Sequence, residues 1–253
     1  MSPAGISIKT PAEIDIMRRA GKILAQMTAE LKRSLTSGQT TAEVDRLAQK
    51  LMAQQGVKAA FKGYRGYPGY VCISINDEVV HGIPNEQRRI QTGDIVSLDM
   101  GIVYQGYYAD MAFSRGIGAI APGSQKLMDV TREALFKGIE KAKEHNRLFD
   151  ISAAVQQWVE SHGFSVVRDF VGHGIGKFLH EDPEIPNYGT AGSGPELKSG
   201  MVFCVEPMVN AGGWQTKILQ DGWTVVTKDG KPSAHFEHMI VITPNGPEIL
   251  TKL

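Results

Sequence analysis

Apolar residues at Ile14, Met17, Leu24, Met27 and Leu31 recur at helical spacing behind Thr10-Pro11-Ala12-Glu13, a capping-box pattern with proline at the first helical position. The spacing predicts a helix. The signal repeats where Thr40 and Glu43 precede a stripe of Val44, Leu47 and Leu51, with Gly56 placed to end it. The pattern then changes to short β-like runs over Val71 to Ile75, Ile95 to Val103 and Tyr107 to Phe113, separated by Asn, Gly and Asp. From Pro122 the order recurs. One helix carries Leu127, Val130, Leu135 and Ile139; a second, from Asp150, carries Ile151, Val155 and Trp158 and stops at Gly163. Strand-like runs follow at Ser165 to Phe170, Met201 to Met208, Trp223 to Thr227 and Phe236 to Ile242, and the Gly-rich stretch from Asn187 to Gly200 reads as a loop. Each half therefore holds two helices followed by β-structure. A pseudo-duplicated α+β domain is the economical reading, and packing of such halves would put a site in the cleft between their sheets.

Composition changes this picture little. Lysine plus arginine and aspartate plus glutamate both number 27, so no basic field marks nucleic acid as the main ligand and no acidic excess marks disorder. The only cysteines, Cys72 and Cys204, lie inside apolar runs and read as buried thiols of a reducing compartment. Met1 to Lys9 lacks a basic segment followed by an apolar one, and no stretch approaches bilayer-spanning length. A cytoplasmic protein with no membrane partner is expected.

The informative residues are polar ones where a plain core would be apolar. Asp99 interrupts the run Ile95 to Gly101, and Asp110 follows on the next predicted strand, where a hairpin could bring the two together. Glu206 lies within Met201 to Pro207, and Glu237 within His235 to Val241. Carboxylates in such places are costly unless paired or coordinated, and basic residues are scarce in these segments. Two divalent cations would balance the four charges, and His173 in Gly172-His173-Gly174-Ile175-Gly176 could add a nitrogen donor. Oxygen ligands with one imidazole suit Mn, Fe, Co or Zn, and the lack of thiolates disfavours a structural zinc cluster. Taken singly, each residue is more often a cap, a turn, an exposed ion pair or a backbone partner than a ligand, and for the five together spacing alone leaves both readings open.

Gly66-Tyr67-Pro68, Cys72 to Asn76, His81-Gly82-Ile83-Pro84, His173 to Gly176, His180-Glu181-Asp182-Pro183, Glu206-Pro207 and Glu237-His238 together resemble the methionine aminopeptidases, in order and interval, over nearly the whole chain. The short loop between His180 and Glu206 fits their type I form. The resemblance implies a pita-bread fold of pseudo-twofold halves, near 10–118 and 121–250, with helices packed on an antiparallel sheet in a single catalytic domain of residues 1–253. It implies two divalent metal ions (Co, Mn, Fe or Zn) held by Asp99, Asp110, His173, Glu206 and Glu237, with Asp110 and Glu237 bridging. It implies hydrolysis of the first peptide bond after an initiator methionine, with Glu206 relaying a proton, His180 stabilising charge on the carbonyl oxygen and His81 near the scissile amide. Tyr64, Tyr67, Cys72 and Trp223 would line the methionine pocket, with His81 and His180 also touching substrate. The implied partner is a peptide or nascent-protein N-terminus, on the ribosome or free of it, acted on by a monomer, with no specific nucleic acid.

Three departures from the family pattern bear on the pocket and its surroundings. Phe61 stands where bacterial relatives often carry a smaller residue, Phe178-Leu179 precedes His180 where an aromatic is usually adjacent, and His235 stands where Gln is expected. Strand alternation would put His235 on the same face as Glu237. Three other classes compete. An Xaa-Pro peptidase or creatinase-like enzyme usually carries a sizeable extra N-terminal domain, and a non-enzymatic relative would have lost the ligands that are intact here. A cysteine hydrolase would need an activating context that neither thiol has.

Overall fold

The computed structural model describes residues 5–253; the part of the leader-peptide expectation that concerns residues 1–4 lies outside them. Helices α1 (Pro11–Ser34) and α2 (Thr41–Gln55) begin at the two capping boxes. The Thr10 and Thr40 hydroxyls accept the amides of Glu13 and Glu43, whose carboxylates accept the Thr10 and Thr40 amides in return. Gly56 closes α2 at φ +64°, a conformation that favours glycine. Helices α3 (Pro122–Lys141) and α4 (Leu148–Ser161) pack on each other closely enough that a Cβ on Gly138 would stand 2.8 Å from Val155 Cγ2. The second of these starts two residues before the Asp150 expected to open it. Asp150 is instead the third helical residue, where its carboxylate accepts the Arg147 amide at 2.8 Å.

The strands form four small sheets. The first joins β1 (Lys58–Ala59), β2 (Cys72–Ile75), β4 (Ile95–Tyr104) and β5 (Tyr107–Gly116), the last two in a ten-residue antiparallel ladder. The second joins β3 (Glu78–Val80), β11 (Thr216–Ile218) and β12 (Val225–Thr227). The third joins β6 (Ser165–Val166), β10 (Met208–Asn210) and β13 (Ser233–His235). The fourth orders β15 (Gly246–Ile249), β14 (His238–Thr243), β9 (Val202–Val205), β7 (Gly172–Gly174) and β8 (Glu181–Ile185). One apolar cluster, with Leu24, Leu98, Ile102, Leu135 and Ile240 wholly buried, runs through both halves.

Several expected strands are shorter than their apolar runs, for local reasons. The run from Met201 to Met208 breaks at Glu206-Pro207, because proline has no N–H for the ladder, and β9 and β10 enter different sheets. The run from Phe236 starts as a strand only at His238, since Phe236 and Glu237 form the crossing between β13 and β14. After Val166 the chain leaves β10 and carries Phe170 toward His81. Trp223 precedes β12 in a turn closed by the Asp221 carboxylate, which accepts the amides of Trp223 and Thr224.

Leu98→Ala should cost about 2–5 kcal/mol, because a fully buried side chain leaves a cavity in the central ladder. Thr40→Ala should cost about 1 kcal/mol through loss of a cap. Urea unfolding of both variants at one metal concentration checks the order, and a Leu98→Ala loss no larger than the cap loss would contradict the core assignment.

Candidate metal centre

Register explains how residues far apart in sequence meet. In the β4–β5 ladder Asp99 faces Ala112 and Gly101 faces Asp110, so the two aspartates are diagonal neighbours on one face. The Ala112 carbonyl accepts the Glu237 amide at 3.0 Å, which hangs the β13–β14 crossing beside that face. Ligand oxygens of Asp99, Asp110 and Glu237 consequently lie within 4.8 Å of one another. On the opposing sheet His173 faces Cys204 in register, and donor atoms of His173, Cys204 and Glu237 form a second group within 4.8 Å. Glu237 belongs to both groups. Glu206, at the proline break, sets Oε1 3.5 Å from His173 Nε2 and Oε2 3.7 Å from His235 Nε2.

The protonation states follow from burial. Burial, then the neighbouring carboxylates, push Asp99, Glu206 and Glu237 well above the ordinary carboxylate range. Asp110 is raised to about 6, chiefly by burial. Burial acts the other way on the imidazoles, lowering His81 and His173 to about 4 and His235 to about 3. His180 is lowered to about 3, by burial first and then by His173, Arg65 and His81. His173 Nδ1 lies 2.9 Å from the Gly174 carbonyl oxygen. A proton on Nδ1 satisfies that contact and leaves the Nε2 lone pair free.

The residues fit divalent cations on three observations. Asp99 Oδ1 and Glu237 Oε1 are buried without a hydrogen-bond partner. Among the described residues, the only ionic neighbours of the four carboxylates are the two imidazoles beside Glu206, and no lysine or arginine pairs with any of them. The donor set is oxygen with one free imidazole nitrogen, which suits first-row divalent metals. The sequence reading placed no thiol here, whereas Cys204 stands at the centre in register with His173. Burial, then Glu237, Asp110 and Glu206, push its thiol well up.

The centre opens into a cavity of about 500 Å³ to which all four sheets contribute. Every residue expected to touch substrate lines it: Tyr64, Tyr67, Cys72, His81, His180 and Trp223. Tyr67 meets Trp223 edge to face at 5.1 Å and donates its hydroxyl to the Gly82 carbonyl, so it presents an apolar face with its polar end satisfied. His81 stands edge-on to Phe170 and Trp223 and holds φ +61°, a strained conformation for a residue with a side chain. Tyr64 Oη lies 2.8 Å from His180 Nδ1.

The departures resolve as follows. Phe61 lines the wall and blocks the space over Gly101, where a Cβ would stand 2.8 Å from its ring. Leu179 is buried in the wall while Phe178 is 40% exposed, so the aliphatic residue takes the inner place. His235 is buried against Glu206 rather than on the surface. Phe170, which pattern reasoning treated only as part of a strand, packs on His81; its sole signal was an aromatic ending an apolar run.

A buried carboxylate centre of this kind, opening on a cavity lined by aromatic side chains and neutral histidines, defines a metal-dependent hydrolase. The chain belongs to metallopeptidase family M24, whose model matches residues 15–244. It is 52% identical over 246 residues to methionine aminopeptidase of Clostridium perfringens, covering 97% of this chain and 98% of that one. It is 50% identical over 248 residues to methionine aminopeptidase 1 of Bacillus subtilis, covering 98% and 100%. The crystal structure of methionine aminopeptidase from Thermotoga maritima superposes with a TM-score of 0.97 at 49% identity, covering 98% of this chain and 100% of that one. The architecture is the α+β pita-bread fold of these proteins.

Chelation should give this protein an unusual stability profile above neutrality. The lowered imidazoles bind fewer protons folded than unfolded, so their contribution falls away at acid pH and is complete once the pH passes about 6.5. Asp99, Glu206 and Glu237 are raised, so the folded chain holds protons that the unfolded chain has released, and stability from them is lost as pH rises. Cys72 and Cys204, also raised, act in the same direction. Thermal melting in chelator should therefore fall as pH rises above about 6.5, where the imidazole contribution is complete, and saturating Mn should remove the fall. Parallel slopes with and without metal would contradict the carboxylate assignment.

Proposed function

We infer that this chain is a metal-dependent aminopeptidase that removes an N-terminal methionine from proteins and peptides with a small second residue. The observation that carries the reading is an aromatic and thiol-lined cavity adjoining three clustered carboxylates, Asp99, Asp110 and Glu237, with Glu206 beside them. It is supported by relatives named methionine aminopeptidases at about half identity over nearly the full chain. We assign Asp99, Asp110, His173, Glu206 and Glu237 to hold two divalent ions of the Co, Mn, Fe or Zn type. Asp110 and Glu237 would be the carboxylates shared by the two ions, and Glu237 has donor atoms near both His173 and the two aspartates. When bound, such ions supply the Lewis acidity that makes water nucleophilic at neutral pH.

The chain's own residues do the rest. Glu206, between two neutral imidazoles, takes up the proton released on attack and passes it toward the leaving amine. With the Tyr64 hydroxyl donating to Nδ1, the His180 proton sits on Nε2, a donor for the substrate carbonyl oxygen as negative charge develops there. His81, neutral and held between aromatic rings, is assigned to the scissile amide. Tyr67, Cys72, Trp223 and Phe61 form a wall suited to an unbranched thioether. Among the described residues no helix is long and apolar enough to cross a membrane. We propose a single catalytic domain that acts as a cytoplasmic monomer on peptide and nascent-protein N-termini, including those presented at the ribosome.

Two experiments test this. Asp110→Ala or Glu237→Ala should abolish turnover and lower metal content. His180→Ala should keep its metal and lose about two to three orders of magnitude in kcat, as for one transition-state donor. Metal loss in His180→Ala would make that histidine a ligand, and full metal with near-normal turnover in the carboxylate variants would sink the centre.

The second experiment compares kcat/KM on Met-Ala-Ser, Met-Lys-Ser, Leu-Ala-Ser and an Xaa-Pro peptide at one metal concentration. Met-Ala-Ser should be fastest, with Leu-Ala-Ser lower by about 1–3 kcal/mol of transition-state binding. Equal rates for methionine and leucine would refute the pocket assignment, and fastest cleavage of the Xaa-Pro peptide would assign a different M24 activity.

A further inference from the structure

Outside the metal centre, a second buried charge cluster lies behind His180. Lys9 and Glu181 are 7% and 8% exposed, and Lys9 Nζ lies 2.5 Å from Glu181 Oε2. The same carboxylate oxygen accepts the Ser7 hydroxyl at 2.8 Å, and Ser7 Oγ also accepts from Lys9 Nζ. The other oxygen, Glu181 Oε1, accepts the Phe178 amide at 3.1 Å. Burial acts to raise the Glu181 carboxyl, but the bonds from Lys9 and Ser7 and the Lys9 charge outweigh it, and Glu181 titrates below its ordinary range.

The connectivity of this cluster is unusual for a structural ion pair. The bond from the Phe178 amide to the Glu181 side chain closes a four-residue loop, and His180 lies inside that loop. Its far end is tied to the metal-bearing hairpin, because the Tyr108 amide donates to the Gly176 carbonyl at 2.8 Å. Lys9 runs directly over Gly176, where a Cβ would stand 2.5 Å from Lys9 Cε and 2.7 Å from Glu181 Oε1. The Lys9 backbone is itself fixed, donating to the Gly200 carbonyl at 2.8 Å, while Gly200 donates to Ile242 in β14. The segment from Gly5 to Thr10 thus straps the His180 loop to the fourth sheet, and the Gly5 amide reaches the Asp182 carboxylate at 2.8 Å on the other side of His180.

A buried ion pair contributes little net stability over an apolar pair of the same shape, since both charges are desolvated. Its defensible use is to fix one geometry. We propose that Lys9 is a positioning residue for His180: through Glu181 it holds the loop that sets the imidazole beside Tyr64 and His173. The inference rests on His180 acting in the proposed reaction.

The test uses the full metal-loaded chain. Lys9→Met should leave metal affinity by titration calorimetry unchanged and lower kcat on Met-Ala-Ser by about tenfold to a hundredfold, the scale of a displaced catalytic group. In the His180→Ala background the same substitution should have no further effect on kcat, because the group it positions is gone. Lys9→Arg should restore most of the rate. The paired variant Lys9→Met/Glu181→Gln removes both charges, keeps an amide oxygen to accept the Phe178 amide, and should show the same loss of kcat, which covers the case in which Lys9→Met alone does not fold. A well-folded paired variant with parental kcat would overturn the proposal, and so would an equal loss with and without His180. If His180→Ala itself leaves kcat unchanged, the role of His180 fails first and that result is read separately.

Discussion

Three acidic oxygens held within 4.8 Å of one another inside apolar sheets cannot all be anions unless positive charge stands among them. The rest of the structure can be understood from that constraint. Asp99 and Asp110 are brought together by an unbroken ladder and Glu237 by a backbone bond to the residue opposite Asp99, and among the described residues no lysine or arginine pairs with the group. A fold that spends apolar strand positions on unpaired carboxylates is less stable alone than with divalent cations, so metal binding and folding are linked through the same residues.

Burial moves the two kinds of titratable group in opposite directions and leaves both near neutrality. Carboxyls rise and imidazoles fall for one reason, the low polarizability of the interior. A cation reverses this selectively: it draws the carboxylates back to their charged form but leaves neutral imidazole as the better ligand or donor. His173 and His180 then differ by what holds Nδ1. The first contacts a backbone carbonyl, which can only accept and leaves a lone pair on Nε2, whereas the second meets a phenol, whose hydroxyl can donate to Nδ1 and so allows a proton on Nε2. Two histidines whose rings lie 4.4 Å apart are thereby suited to different work.

The helices were legible because their caps are local: Thr10 with Glu13 and Thr40 with Glu43 are complete signals within four residues. The apolar runs marked the strands, but their ends depended on partners that sequence spacing does not carry. Pro207 broke one run, and the crossing at Phe236-Glu237 shortened another, so Glu206 and Glu237 sit where chains change sheet rather than mid-strand. The acidic residues stood out because they violate the apolar pattern; their convergence did not, since it follows from register across three separate segments. Resemblance supplied that step. Cys204, read as a buried thiol, Phe170, read as the end of an apolar run, and Lys9 were not connected to the site, because each matches an ordinary pattern and only long-range packing gives them neighbours of consequence.

The same register joins chemistry to selectivity. Cys72 faces Asp99 directly across β2 and β4, so a wall of the side-chain pocket and a carboxylate of the centre share one cross-strand pair. A slip of β2 by one residue would turn Cys72 to the face opposite Asp99, so one register aligns the cavity wall with the centre. Two buried serines fix the neighbouring β4–β5 register that brings Asp99 and Asp110 together. Ser97 and Ser114 share a hydrogen bond of 2.7 Å across the ladder; Ser114 Oγ also donates to the His235 carbonyl at 3.0 Å and accepts the His235 amide at 2.8 Å. Glu237 lies two residues beyond that clamp. The hydroxyl of Ser114 therefore locks the first sheet to the third at the point from which the shared carboxylate is hung, and it ties the spacing of the acidic cluster to side-chain hydrogen bonds that only one alignment of the strands can satisfy.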